Sequence, residues 1–419
     1  MRRDSMQQFS LIRCLLIFTV LTLFLFVGCE PLELDRFTLT IYINNENGGS
    51  VHVCPERNYY VKGTEVELTA VSKQGWIFAG WQGDNSETEE VIRLKMDEDK
   101  EVTAIFEISH DENTGFAGGE GTEINPYLIG TAEQLNNARN SLDKIFFQIA
   151  DIDLIGYSSG DGWQPIGDAD GPFVGKYDGN GFKVSNLKIA RGDTDYVGLF
   201  GVLGTDGGLD NIRLESVDIK GKDYVGSLAG LNKGKIKQCY AKGIIEGRNR
   251  IGGLVGENNE GEIEECFAVV DVSGNEISGG IVGRNEDAII KNCYATGDVT
   301  GEDGDTGGLV GWNRDDGKVI DCYSKGKVTD ASFVGGLIGY RSSEAFVAAS
   351  YWDTESSEQE ESAGGEGRTT LQMQAGIPNI KLDENGNEDQ DGDMMYEDWD
   401  DTVWYFGTDY DYPILQWQD

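Results

Sequence analysis

The strongest constraint in this chain is a short glycine motif that returns at nearly constant spacing. Val197-Gly198-Leu199-Phe200-Gly201 is followed by Val225-Gly226-Ser227-Leu228-Ala229-Gly230, Gly252-Gly253-Leu254-Val255-Gly256 and Gly279-Gly280-Ile281-Val282-Gly283. Gly307-Gly308-Leu309-Val310-Gly311 and Gly335-Gly336-Leu337-Ile338-Gly339 complete the set. The closing glycines step by 29, 26, 27, 28 and 28 residues. A unit this short cannot bury its own apolar face, so neighbours must stack into a solenoid. One coil per repeat sets the rise near ~4.8 Å, the spacing of paired strands.

The phase of each coil is legible. Cys239, Ala241, Gly243 and Ile245 lie two apart, and so do Cys266, Ala268, Val270 and Val272. Cys293, Ala295, Gly297 and Val299 repeat the pattern, as do Cys322, Ser324, Gly326 and Val328. Small and apolar residues at period two suit the inside of a narrow coil. Cys239, Cys266, Cys293 and Cys322 are therefore read as a structural ladder of buried thiols, with Ser350 in the last coil. Cys54 stands alone in the sequence, and there is no CxxC. Asn232, Asn258, Asn285 and Asn313 follow the closing glycines by two residues, where stacked amides bond coil to coil.

Tyr240, Phe267, Tyr294, Tyr323 and Tyr351 each come one residue after a ladder position. Alternation aims them outward, making a candidate ligand-binding stripe for sugar rings or a protein partner. The competing reading is that loops cover the stripe. The repeats resemble the GLUG family, named for its Gly-Leu-x-Gly core. Asn125-Pro126-Tyr127 through Leu187 resembles the lead-in to such repeats, and Tyr412-Pro413-Ile414-Leu415-x-Trp417 their usual close. The resemblance implies a β-solenoid on bacterial surface or secreted proteins, with no agreed ligand and no catalytic residues. Some relatives join these repeats to metallopeptidase domains that cleave immunoglobulin A. Here there is no HExxH, and the histidines are His52 and His110.

Before the array, Phe37 to Phe106 alternates in short strands around Asn47-Gly48-Gly49, a hairpin signal. Gly63-Thr64-x-Val66-x-Leu68-x-Ala70, Gly75-Trp76-x-Phe78-x-Gly80-Trp81-x-Gly83 and Val102-Thr103-Ala104-x-Phe106 resemble the divergent internalin-type B-repeat. That resemblance implies a β-grasp-like module. Trp76 and Trp81 are read as core, with sugar stacking as the alternative.

At the start, Arg2 and Arg3 precede an apolar run from Leu11 to Val27, then Gly28 and Cys29. This is the pattern of a secretory signal. Phe26-Val27-Gly28-Cys29 resembles a lipobox, with Phe26 where leucine is usual, so Cys29 is the expected lipidation site and the membrane the expected partner. The protein is expected outside the bacterial membrane, facing out.

The expected fold is mostly β: a right-handed β-solenoid preceded by the small module. The expected segments are a signal peptide at 1–28, a linker at 29–36, the module at 37–108 and a linker at 109–123. The solenoid with its cap follows at 124–355, then a linker at 356–370 and an acidic closing segment at 371–419. Thr131 through Gln134 forms a capping box for a short helix over the open end.

Acidic residues number 74 against 34 basic, a net charge of -40, which argues against nucleic acid as a partner. Cell-wall glycan or another surface protein remains. No cofactor is indicated. Asp383 to Asp393 suggests Ca2+, but an EF-hand needs glycine at its sixth place and glutamate at its twelfth. Counting from Asp383, these are Glu388 and Met394. A polysaccharide lyase or hydrolase would need apposed carboxylates. Asp168, Asp170, Asp178 and Asp193 are candidates only by abundance, so no catalytic or metal residues are assigned. The expected role is binding, adhesion or scaffolding, with a polysaccharide-active enzyme or a passive spacer as alternatives.

Overall fold

The computed structural model describes residues 35–329, 332–374, 381–382, 393–394, 396, 398–407 and 411–418. The signal and lipobox at 1–29 and most of the Asp383–Asp393 segment lie outside them. The chain divides after Ser109 into two compact units.

The first unit is two three-stranded sheets. In one, Leu39–Ile43 runs parallel to Lys100–Ile108, which pairs antiparallel with Trp76–Gly83. In the other, Gly49–Cys54, Thr64–Ser72 and Val91–Met96 are antiparallel. Alternation puts Val66, Leu68, Ala70, Ile92, Leu94, Met96, Val102, Ala104 and Phe106 in the core. Trp76 and Trp81 are buried with them, and Trp81 Nε1 donates to the Glu89 carbonyl at 3.0 Å, so neither offers a face to a sugar. The Asn47-Gly48-Gly49 turn has a packing reason: a Cβ on Gly49 would lie 2.3 Å from the Phe106 ring. Cys54 does not stand alone; it is disulfide-bonded.

The second unit is a β-solenoid of about seven turns. Its strands stack in parallel, coil upon coil, as four faces. The first face has nine strands, from Tyr127–Ile129 to Phe346–Ala348. The second begins at Ile152–Asp153 and ends at Glu366–Arg368. The third has five strands, Asp223–Val225 to Phe333–Gly335, and the fourth six, Phe200–Leu203 to Ile338–Arg341. One complete turn is Glu262–Glu264, Phe267–Ser273, Ile277–Gly279 and Val282–Glu286.

Most strands are too short to persist alone, and pairing with the same face of the next coil supplies their backbone partners. Inside run Ile263, Cys266, Ala268, Val270, Val272, Ile281 and Val282, all buried. The glycine motif lies at the turn between the third and fourth faces, where backbone meets backbone. A Cβ on Gly280 would sit 2.2 Å from the Gly308 carbonyl oxygen, and one on Gly283 would sit 2.6 Å from the Arg250 carbonyl carbon. Backbone crowding favours glycine there; Ser227 takes the equivalent place in its own coil and donates to the Gly253 carbonyl at 2.6 Å.

Both ladders form. The four array cysteines are free and fully buried, and burial pushes the Cys239 and Cys293 thiols well up. Asn232 Nδ2 donates to Asn258 Oδ1 at 2.8 Å, Asn258 to Asn285 at 2.9 Å, and Asn285 to Asn313 at 2.8 Å. Ser350 takes the cysteine place by accepting from Cys322 N and donating to the Ala348 carbonyl.

The segment boundaries need correction. Residues 109–123 are not a linker: Phe116 is buried in the array core and stacks on Tyr127 at 4.4 Å. The helix Ala132–Asn137 is capped by Thr131, whose side chain accepts from Gln134 N. Leu135 and Ala138 fill the first coil. Residues 356–370 are not a linker either, because Glu366–Arg368 pairs in parallel with Tyr351–Asp353 and extends the second face. Among the described residues, no helix is long and apolar enough to cross a membrane.

Candidate functional site

The aromatic stripe points out of the coil, as alternation requires, but it is not exposed. Tyr240, Phe267, Tyr294, Tyr323 and Tyr351 retain only 7, 5, 5, 1 and 7% of their accessible surface. Two facts remove the sugar-stacking platform. First, the rings stack on one another along the array axis. Tyr240–Phe267, Phe267–Tyr294 and Tyr294–Tyr323 lie 4.7, 5.0 and 4.9 Å apart, tilted by 18, 5 and 4°. Their faces are consumed by neighbours and only edges look outward. Second, the C-terminal segment lies across those edges. Met373, Tyr396, Trp399, Trp404 and Leu415 of this segment thus roof one side of the array.

The roof is held by three indoles. Trp417 Nε1 donates to the Glu265 carbonyl at 2.9 Å, Trp404 Nε1 to Asn292 Oδ1 at 3.1 Å, and Trp399 Nε1 to the Ala349 carbonyl at 2.8 Å. Each acceptor sits at the turn between the first and second faces. That turn is made by a residue with positive φ directly before the ladder cysteine or Ser350: Gln238, Glu265, Asn292, Asp321 and Ala349. Left-handed backbone at these turns presents an acceptor to the roof at Glu265, Asn292 and Ala349, giving it a row of acceptors. Tyr323 Oη donates to the Pro413 carbonyl at 2.9 Å, and Gln418 Nε2 lies 2.7 Å from Tyr294 Oη. Tyr412 Oη donates to Asp353 Oδ2. Asp353 is fully buried and also accepts from Glu355 N, Ser356 N and Thr370 Oγ1. Burial pushes the Tyr323 and Tyr396 phenols well up.

The roof does not close everywhere. A groove of about 500 Å³ remains between it and the array. The array side is Val269, Tyr294, Thr296, Tyr323 and Lys325; the roof side is Gln374, Tyr405, Gly407, Asp411, Tyr412 and Ile414. Lys325 Nζ lies over the Tyr412 ring, 4.0 Å from its centroid, and burial lowers its ammonium below the usual lysine range. Sequence reasoning found Tyr294 and Tyr323 here but missed Lys325 and the roof residues. The available signal was a cluster of aromatics between Tyr396 and Trp417 in a strongly acidic segment.

The other residues weighed for chemistry are not assembled. Asp168 Oδ1 caps its own turn, accepting from Asp170 N and Gly171 N. Asp178 Oδ1 accepts from Asn180 N and Asn211 Nδ2. Among the described residues, no three His, Cys, Asp or Glu side chains are grouped to hold a metal.

Comparison with known proteins follows the same division. Residues 39–110 match the Divergent InlB B-repeat domain family, and residues 274–300 and 303–329 match the GLUG motif. A protein of Evansella cellulosilytica described as a "Putative Gly-rich membrane protein" is 42% identical over 146 residues, 32% of this chain and 17% of the relative. Halomucin of Haloquadratum walsbyi is 35% identical over 164 residues, 36% of this chain and 2% of its own length. The match therefore spans less than a fifth of either relative. A crystal structure of a "putative immunoglobulin A1 protease" from Bacteroides ovatus has a TM-score of 0.57 at 25% identity. That match covers 73% of this chain and 96% of the other.

Proposed function

We propose that this chain is an exported surface protein, anchored through a lipid on Cys29, whose array serves as a rigid binding or scaffolding element rather than an enzyme. The observation that carries the binding role is the groove left open between the roof and the array. The membrane-protein name of one relative and the export pattern of residues 1–29 support the location. A glycan array and a cell-wall pull-down with soluble Glu30–Asp419 test the role. Retention on wall material or a glycan is expected, and failure to retain either would refute it.

The anchor has its own tests. Cys29→Ala is expected to move the protein from the membrane fraction to the soluble one. A thioether-bound Cys29 cannot also be the disulfide partner of Cys54. Mass spectrometry of the mature chain should therefore find acyl groups on Cys29, and a Cys29–Cys54 disulfide would overturn the anchor.

An enzymatic reading is favoured by one observation, the name of the Bacteroides ovatus neighbour. Incubation with immunoglobulin A1 and with acidic and neutral polysaccharides tests it. Any cleavage product would replace the binding role with catalysis.

A further inference from the structure

Among the described residues lining the groove, Lys325 is the cation. Several lysines of the array pair with carboxylates, Lys235 with Glu262 at 3.1 Å, Lys237 with Glu265 at 2.9 Å and Lys242 with Glu215 at 3.1 Å among them. Lys325 does not. Its side chain lies against Tyr412, and no carboxylate among the described residues comes within 4.0 Å of Nζ, although Asp411 lines the same groove. Burial without a contacting carboxylate lowers the ammonium, although Asp353, bonded by Tyr412, attracts it from beyond ion-pair distance. Among the described residues no carboxylate contacts this ammonium, so an external anion can.

The rest of the lining limits what that anion belongs to. Thr296, Gln374 and Tyr405 offer neutral hydrogen-bonding groups, and Val269 and Ile414 offer apolar surface. This mixture of convergent polar groups on an apolar wall suits a small polyhydroxylated ligand. The Asp411 carboxylate accepts hydrogen bonds from hydroxyls and repels a dense polyanion. One cation beside the Asp411 and Asp353 carboxylates disfavours the denser charge of sulfate or phosphate esters and tolerates at most a single negative charge per sugar.

We infer that the groove between the roof and the aromatic ladder binds an acidic saccharide of the uronate class, its carboxylate on Lys325 and its hydroxyls toward Asp411, Thr296 and Gln374. The inference names the ligand class for the binding role proposed above and rests on that role. Ring stacking is not required: the ligand meets tyrosine edges on the array side.

Calorimetric titration of the full chain in detergent with galacturonic acid oligomers, neutral galactose oligomers and inorganic sulfate tests it. The acidic oligomer is expected to bind at least about tenfold more tightly than the neutral one, and to weaken as salt is raised. Lys325→Met should abolish that preference. Thermal melting of the same variant should show an unchanged or higher Tm, because no ion pair is lost. Equal binding of acidic and neutral oligomers, sulfate binding as tightly as the oligomer, or an unaffected Lys325→Met variant would each overturn the inference. No binding of any probe, with the wall pull-down intact, would overturn it while leaving the binding role standing.

Discussion

Replacing Trp404 with alanine should release the roof without unfolding the array. Trp404 is fully buried, packs on Trp399 at 4.3 Å between ring centroids, and donates to Asn292 Oδ1. Truncating a buried tryptophan costs ~3–5 kcal/mol, and stranding the buried Asn292 oxygen adds ~1–3 kcal/mol. The total is at least about 4 kcal/mol, set against a roof whose described strands pair only as Trp404–Tyr405 with Ile414–Leu415 and Lys381–Leu382 with Asp393–Met394. A hairpin that short does not persist alone. The array core, by contrast, contains none of the roof's side chains. Limited proteolysis should therefore gain cuts between residues 396 and 418, and a hydrophobic dye should bind the uncovered ladder. Amide exchange in the coils that carry Cys239 to Cys322 should stay slow. Tyr405→Ala, which removes a side chain still 43% exposed, is the control and should change little. An uncut roof in the Trp404 variant, or an array that melts together with its roof, would refute this division into a core and a separable layer.

Three further outcomes follow from the ladders and the corner residues. Asn258→Ala strands Asn232 Nδ2 and Asn285 Oδ1 in a fully buried row, so chemical denaturation should show a loss of ~2–5 kcal/mol. A loss below ~1 kcal/mol would mean the amide row is dispensable. Cys293→Ser should cost less than ~1.5 kcal/mol, because Ser350 already fills the equivalent place, and native thiols should resist a labelling reagent. Rapid labelling would show an open coil. Burial raises the Asp321 carboxyl to about 6, with Asp398 adding to the rise and Lys291 opposing it. The folded chain thus holds this proton more tightly than the unfolded one, and its contribution falls as pH rises from about 4 to 6. Asp321→Asn should flatten stability across that window and raise it at neutral pH by at most ~3 kcal/mol. An unchanged pH profile would refute the assignment.

Much of the array was legible because each repeat states the same local rule. Period two placed Cys266, Ala268, Val270 and Val272 inside, and one residue of offset placed Phe267 outside, as found. The asparagine row was legible for the same reason. What alternation cannot tell is whether an outward ring meets water. That depends on the 396–418 segment, more than a hundred residues beyond Phe267 and outside the repeat, whose aromatics follow no period. The two misread linkers share a cause: Phe116 is a single apolar residue among glycines and polar residues, and Glu366-Gly367-Arg368 has no apolar alternation. Both join the stack through backbone pairing and one anchor side chain. Lys325 was invisible because its isolation is a property of the folded neighbourhood.

The row of acceptors along the turn between the first and second faces has a consequence for how such an array changes length. The three indoles engage it at Glu265, Asn292 and Ala349, skipping the coil of Asp321. Their separation along the segment is thereby matched to a fixed count of coils. A repeat gained or lost between Glu265 and Ala349 puts at least one indole out of step and uncovers part of the ladder. Before Glu265, Trp417 also packs against Tyr240 and Arg213, and the coils before Arg213 accept none of the three indole hydrogen bonds. Repeat number is metered at one end of the array and free to drift at the other, so lengthening by duplication is confined to the coils nearer the N-terminal cap.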